Sequence, residues 1–423
     1  MSKMKLKRLK SLIEFKNGKI APKTTGKYPI YGGNGILGYC DDYNYEDAII
    51  VGRVGAYCGS IHKADGKCWV SDNAIAGLPK DSELLGFYYY LLGELDLNKK
   101  QIGSSQPLLT HGILNNLDVQ VPLNSETAVK ISKILSDIDA KIELNNRINA
   151  ELEAMAKTIY EYWFVQFDFP DENGMPYKAS GGKMVYNEKL KREIPEGWEV
   201  KTLSNWIKND KSGDWGKEAE QGNYIQKVSC VRGADINGLN GNGEVKTPTR
   251  FILEKNSHKI LDPHDLVVEI SGGSPTQSTG RLAFITEETL ERFENPLICS
   301  NFCKALTLKN EKYLYNFVYQ WNRLYENDVL FGWEGKTSGI KNLLFDNFTT
   351  NYYVPVPPEN LAEKFHDFME PIQAKKQKNL VEIKELENLR DWLLPMLMNG
   401  QVSVGEAEEE LRMVAEENVN YGN

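Results

Sequence analysis

Gly33, Gly35 and Gly38 in the stretch Gly33-Asn34-Gly35-Ile36-Leu37-Gly38 have the spacing that lets a backbone approach a dinucleotide pyrophosphate. That chemistry also needs a strand before the first glycine and a helix after the last, because the helix N-terminus receives the phosphate. Here the chain continues Tyr39-Cys40-Asp41-Asp42-Tyr43-Asn44, which is turn-like, so no cofactor site is expected. Gly335-Lys336-Thr337 has the ending of a phosphate-binding loop, but the first glycine of that loop would fall on Leu330. The histidines (His62, His111, His258, His264, His366) do not cluster at metal-ligand spacing. The cysteines (Cys40, Cys58, Cys68, Cys230, Cys299, Cys303) form no CxxC pair, and Cys299 and Cys303 have no second pair or nearby histidine to complete a zinc site. Free buried thiols in a reducing compartment are expected. HExxH, GxSxG and the Asn/Asp-Pro-Pro-Tyr/Phe tetrapeptide of amino-methyltransferases are all missing. The expectation is a chain with no catalytic residue, no metal site and no cofactor of its own, one that binds rather than reacts.

Two long segments with helical periodicity dominate the chain. In Ser125–Phe164, alternating steps of four and three pick out Ile131, Leu135, Ile138, Ile142, Asn145, Asn149, Leu152, Ala156, Ile159 and Trp163. Such a sustained apolar seam predicts a long coiled-coil helix of about 55 Å at 1.5 Å per residue. A shift of 234 residues lays the same register on Asn360–Gly400, at Phe365, Met369, Ile372, Lys376, Asn379, Ile383, Leu386, Arg390, Leu393 and Leu397. One helix cannot bury its stripe alone, and the simplest partner is the other copy. Asn145 and Asn379 weaken the seam but can fix its register. Pro371 and Pro395 are expected to break or kink the second helix.

The segments before these helices repeat more loosely. Each opens on a short strand, at Leu6 and at Trp198. Each holds an apolar strand flanked by small residues (47–61, DAIIVGRVGAYCGSI; 265–285, DLVVEISGGSPTQSTGRLAFI). Each ends on a polar glycine-rich loop and a Val-Pro exit (101–122; 333–357). Short Val/Ile/Tyr strands between Pro, Gly and Asn turns predict a strand-rich mixed globule. The layout is α+β: two globules separated by two long helices, as an internal repeat. Its divisions are 1–124 (globule), 125–166 (helix), 167–193 (polar linker), 194–359 (globule), 360–400 (helix) and 401–423 (acidic tail).

The net charge of −9 argues against simple electrostatic binding to nucleic acid. It is unevenly spread. Residues 1–125 carry 15 Lys+Arg against 12 Asp+Glu (+3), and residues 361–423 carry 7 against 13 (−6), including Glu406, Glu408, Glu409 and Glu410. The tail is expected to be a solvated end. No apolar run reaches the roughly 18 residues of a membrane span, and the basic N-terminus lacks the apolar core of a signal peptide. Two similar globules on a stiff spacer can read two places on one linear ligand. Duplex DNA fits, since half-sites recur about 34–36 Å apart or at multiples of that.

The residues also resemble a known family, the specificity subunits of type I restriction-modification systems. The resemblance runs through Lys27–Tyr39 (KYPIYGGNGILGY), 49–59 (IIVGRVGAYCG), 71–77 (SDNAIAG), 103–110 (GSSQPLLT), 194–203 (IPEGWEVKTL) and 393–401 (LLPMLMNGQ). It implies two target recognition domains, with the helices packed as an antiparallel coiled coil and pseudo-twofold symmetry. It implies double-stranded DNA, two modification subunits and restriction subunits as partners, in the cytoplasm and without a membrane. The modification subunits would use S-adenosylmethionine to methylate adenine N6, flipping the base to reach it. The restriction subunits would use ATP and Mg. The role implied for this chain is to read a split asymmetric site and scaffold the other subunits. A specificity chain of a related methylation-based defence system, or a coiled-coil scaffold that binds no DNA, are the alternatives.

Base edges are read by Arg, Lys, Asn or Gln, and phosphates are held by Ser, Thr, Lys or backbone N–H. Arg53 is the first globule's only arginine beyond Arg8. With it, Tyr31, Asn34, Lys63, Ser104, Ser105 and Gln106 lie in glycine-rich or polar loops. The second globule offers Arg232, Thr276, Gln277, Ser278, Arg281, Lys336, Thr337, Ser338 and Lys341.

Overall fold

A computed structural model describes residues 3–23, 25–103, 107–272, 276–337 and 340–420. The chain forms two compact units, Met1–Leu144 with Glu382–Asn423, and Asn145–Val381. Each holds one globule and a segment of each long helix.

The first globule contains β1 (Met4–Arg8), β2 (Ile13–Asn17), β3 (Tyr28–Gly32), β4 (Gly35–Cys40), β5 (Tyr45–Gly52), β6 (Ile61–Val70), β7 (Ala74–Pro79), α1 (Leu85–Gly93), α2 (His111–Asn115) and β8 (Asp118–Pro122). One sheet has the order β2-β7-β5-β6-β3-β4, and β1 pairs antiparallel with β8 to close the globule. Ala48-Ile49-Ile50-Val51 on β5 is fully buried, which is why that strand reads as a continuous apolar run. The first long helix follows as α3 (Ser125–Tyr160), with Asn124 Oδ1 accepting the Glu126 N–H at its start, 3.0 Å.

The second globule is opened by the hairpin of β9 (Met184–Asn187) and β10 (Arg192–Pro195). The polar linker expected at 167–193 is therefore folded structure. Phe169 stacks between Tyr177 and Trp198, with centroids at 4.7 and 5.6 Å, and Phe167 and Ile194 are buried. Then come β11 (Glu199–Thr202), β12 (Ile207–Ser212), β13 (Tyr224–Val231), α4 (Ile236–Leu239), β14 (Thr249–Leu253), β15 (Leu266–Glu269), β16 (Ser271–Gly272), β17 (Leu282–Phe284), α5 (Glu287–Glu291), β18 (Leu297–Cys299), β19 (Cys303–Leu308), α6 (Leu314–Glu326), β20 (Glu334–Thr337), β21 (Ile340–Leu343), α7 (Phe345–Asn351) and β22 (Tyr353–Val356). The chain ends with α8 (Glu359–Met398) and α9 (Val404–Asn420).

The globules share one wiring. The order β2-β7-β5-β6 recurs as β12-β19-β15-β17, and the closing pair β1·β8 recurs as β11·β22. The hairpin β3·β4, parallel to the end of β6, recurs as β13·β14, parallel to β18. Single hydrogen bonds match as well. Ser71 N–H donates to Tyr31 O and Ser300 N–H to Val231 O, both 2.8 Å; Leu109 N–H donates to Arg53 O and Leu343 N–H to Ile270 O, both 2.9 Å.

Within each unit the helix segments run antiparallel. In the first, Asp139 pairs with Arg390 at 3.0 Å and Lys141 with Glu382 at 3.3 Å. In the second, Asn379 Nδ2 donates to Asn149 Oδ1 at 2.8 Å, and Lys376 pairs with Glu153. Of the expected seam, Ile131, Leu135, Ile138, Asn145, Ile372, Asn379, Ile383, Leu386 and Leu393 are buried, and Ile142, Leu152 and Ile159 are half-buried. Tyr90 on α1 donates to Asp139 at 2.6 Å; in the second unit Tyr319 on α6 accepts from Gln373, 3.0 Å away. Gln373 is Asp139 shifted by the 234-residue repeat, so the same pin joins globule to helix in both units.

Two expectations are corrected. Helix α8 runs unbroken through Pro371 and Pro395. A mid-helix proline costs about 3 kcal/mol, but Phe365, Met369 and Ile372 are buried around Pro371, each burial contributing about 1.5–3 kcal/mol. The acidic tail is not a loose solvated end either. It forms α9, started by a capping box in which Ser403 N–H donates to Glu406 at 2.7 Å and Glu406 N–H to Ser403 Oγ at 3.3 Å. Ala407 is buried in the first unit's core and Leu411 packs against it, while Glu406, Glu408 and Glu409 are exposed.

Candidate nucleic-acid interface

In the first globule β3 and β4 are joined by Gly33-Asn34, with Gly35 at φ 85°, so the turn carries Asn34 at an exposed tip. The tip is braced from below. The Ser60 hydroxyl donates to Gly33 O, and His62 Nε2 lies 3.1 Å from the same carbonyl. Tyr31 is half-buried and donates to Lys63 O at 3.4 Å; burial pushes its phenol up. The half-buried Lys63 meets the exposed Asp65 carboxylate at 3.0 Å, a pair that water screens from the Asp65 side.

Arg53 extends from the end of β5. Its backbone is fixed by Asn73 O, which accepts its N–H at 3.0 Å, and by Leu109 N–H, which donates to its carbonyl at 2.9 Å. Its guanidinium reaches Asn17 Oδ1 at 3.4 Å, and among the described residues no carboxylate lies within ion-pair distance. His111, at the start of α2, is half-buried, and its Nε2 has no hydrogen-bond partner. Burial lowers its pKa and the Arg53 charge lowers it further, which favours the neutral ring beside the arginine. Ser104, Ser105 and Gln106 lie outside the described residues. Ile102 and Leu108, flanking them, exchange two backbone bonds of 2.9 Å.

The second globule treats its basic candidates differently. Arg232 forms a bidentate pair with Asp235 (2.9 and 3.0 Å) and donates to Lys246 O at 2.7 Å. Arg281 forms a bidentate pair with Glu269 (2.9 and 2.7 Å), nearly buried. Lys341 meets Glu334 at 3.2 Å, donates to Gln277 O at 3.3 Å and lies 4.6 Å from the Phe331 ring centroid. These cations are neutralised inside the fold and brace its loops. Ser278 is buried, Gln277 half-buried and Thr276 exposed. Lys336 and Thr337 lie on β20 opposite Lys341 and Ile340, and Ser338 lies outside the described residues.

Sequence reasoning missed Asn17, Asn73 and His111, which the fold brings to Arg53, and Asn301-Phe302, which the repeat places where Asp72-Asn73 stands in the first globule. The available signal was Ser-Asp-Asn-Ala and Ser-Asn-Phe-Cys, each closing an apolar strand. Among the described residues no acidic, histidine or cysteine group could hold a metal, and the six cysteines are buried.

The model of the type I restriction modification DNA specificity domain matches residues 1–154. The type I restriction enzyme MjaIX specificity subunit of Methanocaldococcus jannaschii is 26% identical over 348 residues, 78% of this chain and 72% of that one. Over these spans the chain is similar to type I restriction-modification specificity subunits. The HindI specificity subunit of Haemophilus influenzae is 24% identical over 338 residues, 70% of this chain and 71% of that one. The fold agrees with the crystal structure of a type I S subunit from M. genitalium, with TM-score 0.63 at 18% identity over 94% of this chain and 96% of that one. The architecture of this chain is α+β. Among the described residues no helix is long and apolar enough to cross a membrane.

Proposed function

We propose that this chain is a type I specificity subunit that reads a split, asymmetric double-stranded DNA site, one half with each globule. The observation that carries the reading is one strand wiring built twice and fitted with different loops. The first globule presents Arg53 and Asn34; the second keeps Arg232 and Arg281 within its own ion pairs. Equivalent frames with unlike surfaces suit two unlike half-sites. The chain needs no cofactor for this. It docks two modification subunits, which use S-adenosylmethionine to methylate adenine N6, and later the restriction subunits, which use ATP and Mg, in the cytoplasm. Contacts from Arg53, Asn34, Lys63 and Tyr31, and from Thr276, Gln277 and the β20–β21 hairpin, belong to this proposal.

The test is methylation-aware sequencing of a host genome after co-expression with the cognate modification subunit. A new split motif carrying N6-methyladenine, dependent on this chain, is expected. A folded, co-purifying complex that leaves no motif would overturn the reading.

A further inference from the structure

Each globule holds an exposed turn at an equivalent place. In the first it is Ser71-Asp72-Asn73-Ala74, closed by Ala74 N–H donating to Ser71 O at 3.0 Å. In the second it is Ser300-Asn301-Phe302-Cys303, closed by Cys303 N–H donating to Ser300 O at 2.9 Å. The first residue of each is buried and the two central residues are exposed. The central carbonyls are tethered too: Asn73 O accepts from Arg53 N–H at 3.0 Å, and Phe302 O from Ile270 and Ser271 N–H at 2.8 and 3.1 Å. A glycine backs each turn so closely that a Cβ on Gly18 would lie 1.8 Å from Ser71 O, and one on Gly213 1.9 Å from Ser300 O. The turns are therefore fixed in place before any ligand arrives.

Their central side chains have no structural employment. Asp72, Asn73 and Asn301 make no side-chain hydrogen bond to any described residue, and Phe302 is 52% exposed. Asn73 stands next to Arg53, whose charge is not matched by a carboxylate. Phe302 adjoins β16, which pairs with Lys341-Asn342 of the β20–β21 hairpin.

We infer that these two turns are the base-edge readers of the two half-sites, Asp72-Asn73 in one and Asn301-Phe302 in the other. This rests on the reading proposed above. An asparagine amide matches adenine N6 and N7, and an aromatic ring packs on a thymine methyl. A carboxylate is repelled by phosphate and is useful at a DNA surface only as acceptor from a base amino group, so Asp72 selects an exocyclic amine. The turns would thus carry no share of phosphate binding, in contrast to Arg53 and Lys63.

The experiment is genome methylation sequencing of the full chain with its modification subunit, for the parent, Asn73→Ala and Phe302→Ala, with Asn73→Asp and Phe302→Leu as conservative companions. Both positions are exposed, and co-purification with the modification subunit checks folding. Each alanine variant is expected to lose about ten-fold to hundred-fold discrimination at a base position in one half-site. The other half-site stays as in the parent, and the two variants affect opposite halves. A motif left unchanged, or methylation weakened uniformly without a change of motif, overturns the assignment for that turn. A parent that writes no split motif overturns the underlying reading itself.

Discussion

The Lys376–Glu153 pair sets up an asymmetric test of how the second unit holds its helices. The Lys376 side chain is 6% exposed and Glu153 27%. Glu153 is the carboxylate facing that ammonium, and the neighbouring Tyr319 hydroxyl and Gln373 amide cannot neutralise it. Removing Glu153 strands a buried cation, and breaking such pairs costs about 3–5 kcal/mol when both partners are buried. Water reaches Glu153, so Glu153→Ala is expected to cost about 2–3 kcal/mol. Lys376→Met leaves behind a carboxylate that can hydrate, and it removes a desolvated charge at similar volume, so it should cost about 0–1 kcal/mol. The double variant Glu153→Leu with Lys376→Met should return close to the parent. Urea unfolding followed by tryptophan emission reports on this unit, which holds Trp163, Trp198, Trp206, Trp215, Trp321 and Trp333 against Trp69 and Trp392 in the other. With a slope of about 3 kcal/mol per molar urea, Glu153→Ala should lower the midpoint by about 0.8 M and Lys376→Met by less than about 0.3 M. If Lys376→Met is as damaging as Glu153→Ala, the pair stabilises by attraction rather than by relieving a buried charge, and the reasoning fails.

Gly18→Ala and Gly213→Ala should each destabilise their own unit by about 1–3 kcal/mol through overpacking on a carbonyl, read as a lower thermal midpoint for that unit alone. Arg53→Ala should weaken methylation of one half-site class with little effect on the melt, whereas Arg281→Ala, which strands buried Glu269, should lower stability before it alters the motif; the converse pattern would reverse their roles. The folded pKa of His111 lies below its unfolded value of 6.5. Between those values the unfolded chain binds more protons, so the first unit's stability should fall as pH drops through 6.5 and then level off below the folded pKa. His111→Gln should remove that part of the slope in urea midpoints taken from pH 5 to 8, and an unchanged slope would contradict it.

The long helices and the repeat were legible because each seam residue is apolar at helical spacing and the two copies align without a gap. The buried β5 run was legible for the same reason: its apolar residues have no polar alternation. The ion pairs were not. Nothing in sequence separation alone marks Asp235 as the partner of Arg232, or Glu269 as the partner of Arg281 across the loop between β15 and β17. A list of basic loop residues therefore mixed free cations such as Arg53 with structural ones. Helix α9 was hidden by its charge: Ala407 and Leu411 make a narrow apolar stripe among glutamates, and only the core it covers shows why it folds. Pro371 misled because a local cost was weighed without the packing that outweighs it.

The polar seam positions also explain why the helices hold one register, in a way their apolar stripe cannot. An apolar heptad seam looks nearly the same after a slip of seven residues. The polar partners do not. If α8 slid by seven residues in either direction, Glu153 would face Ile383 or Met369 instead of Lys376, and Asn149 would face Leu386 or Ile372 instead of Asn379. Asp139 would face Leu397 or Ile383 instead of Arg390. Lys141 would face Leu389 or Lys375 instead of Glu382. For the buried groups, Lys376, Asn149 and Asn379, a slip leaves a charge or amide against hydrocarbon, at about 1–3 kcal/mol for each unsatisfied group. Within a unit such penalties fall together, because its paired residues lie on the same two helix segments. The polar residues at the seam are thus costly one at a time and decisive as a set. Within each unit they fix the register of the α3 segment against the α8 segment.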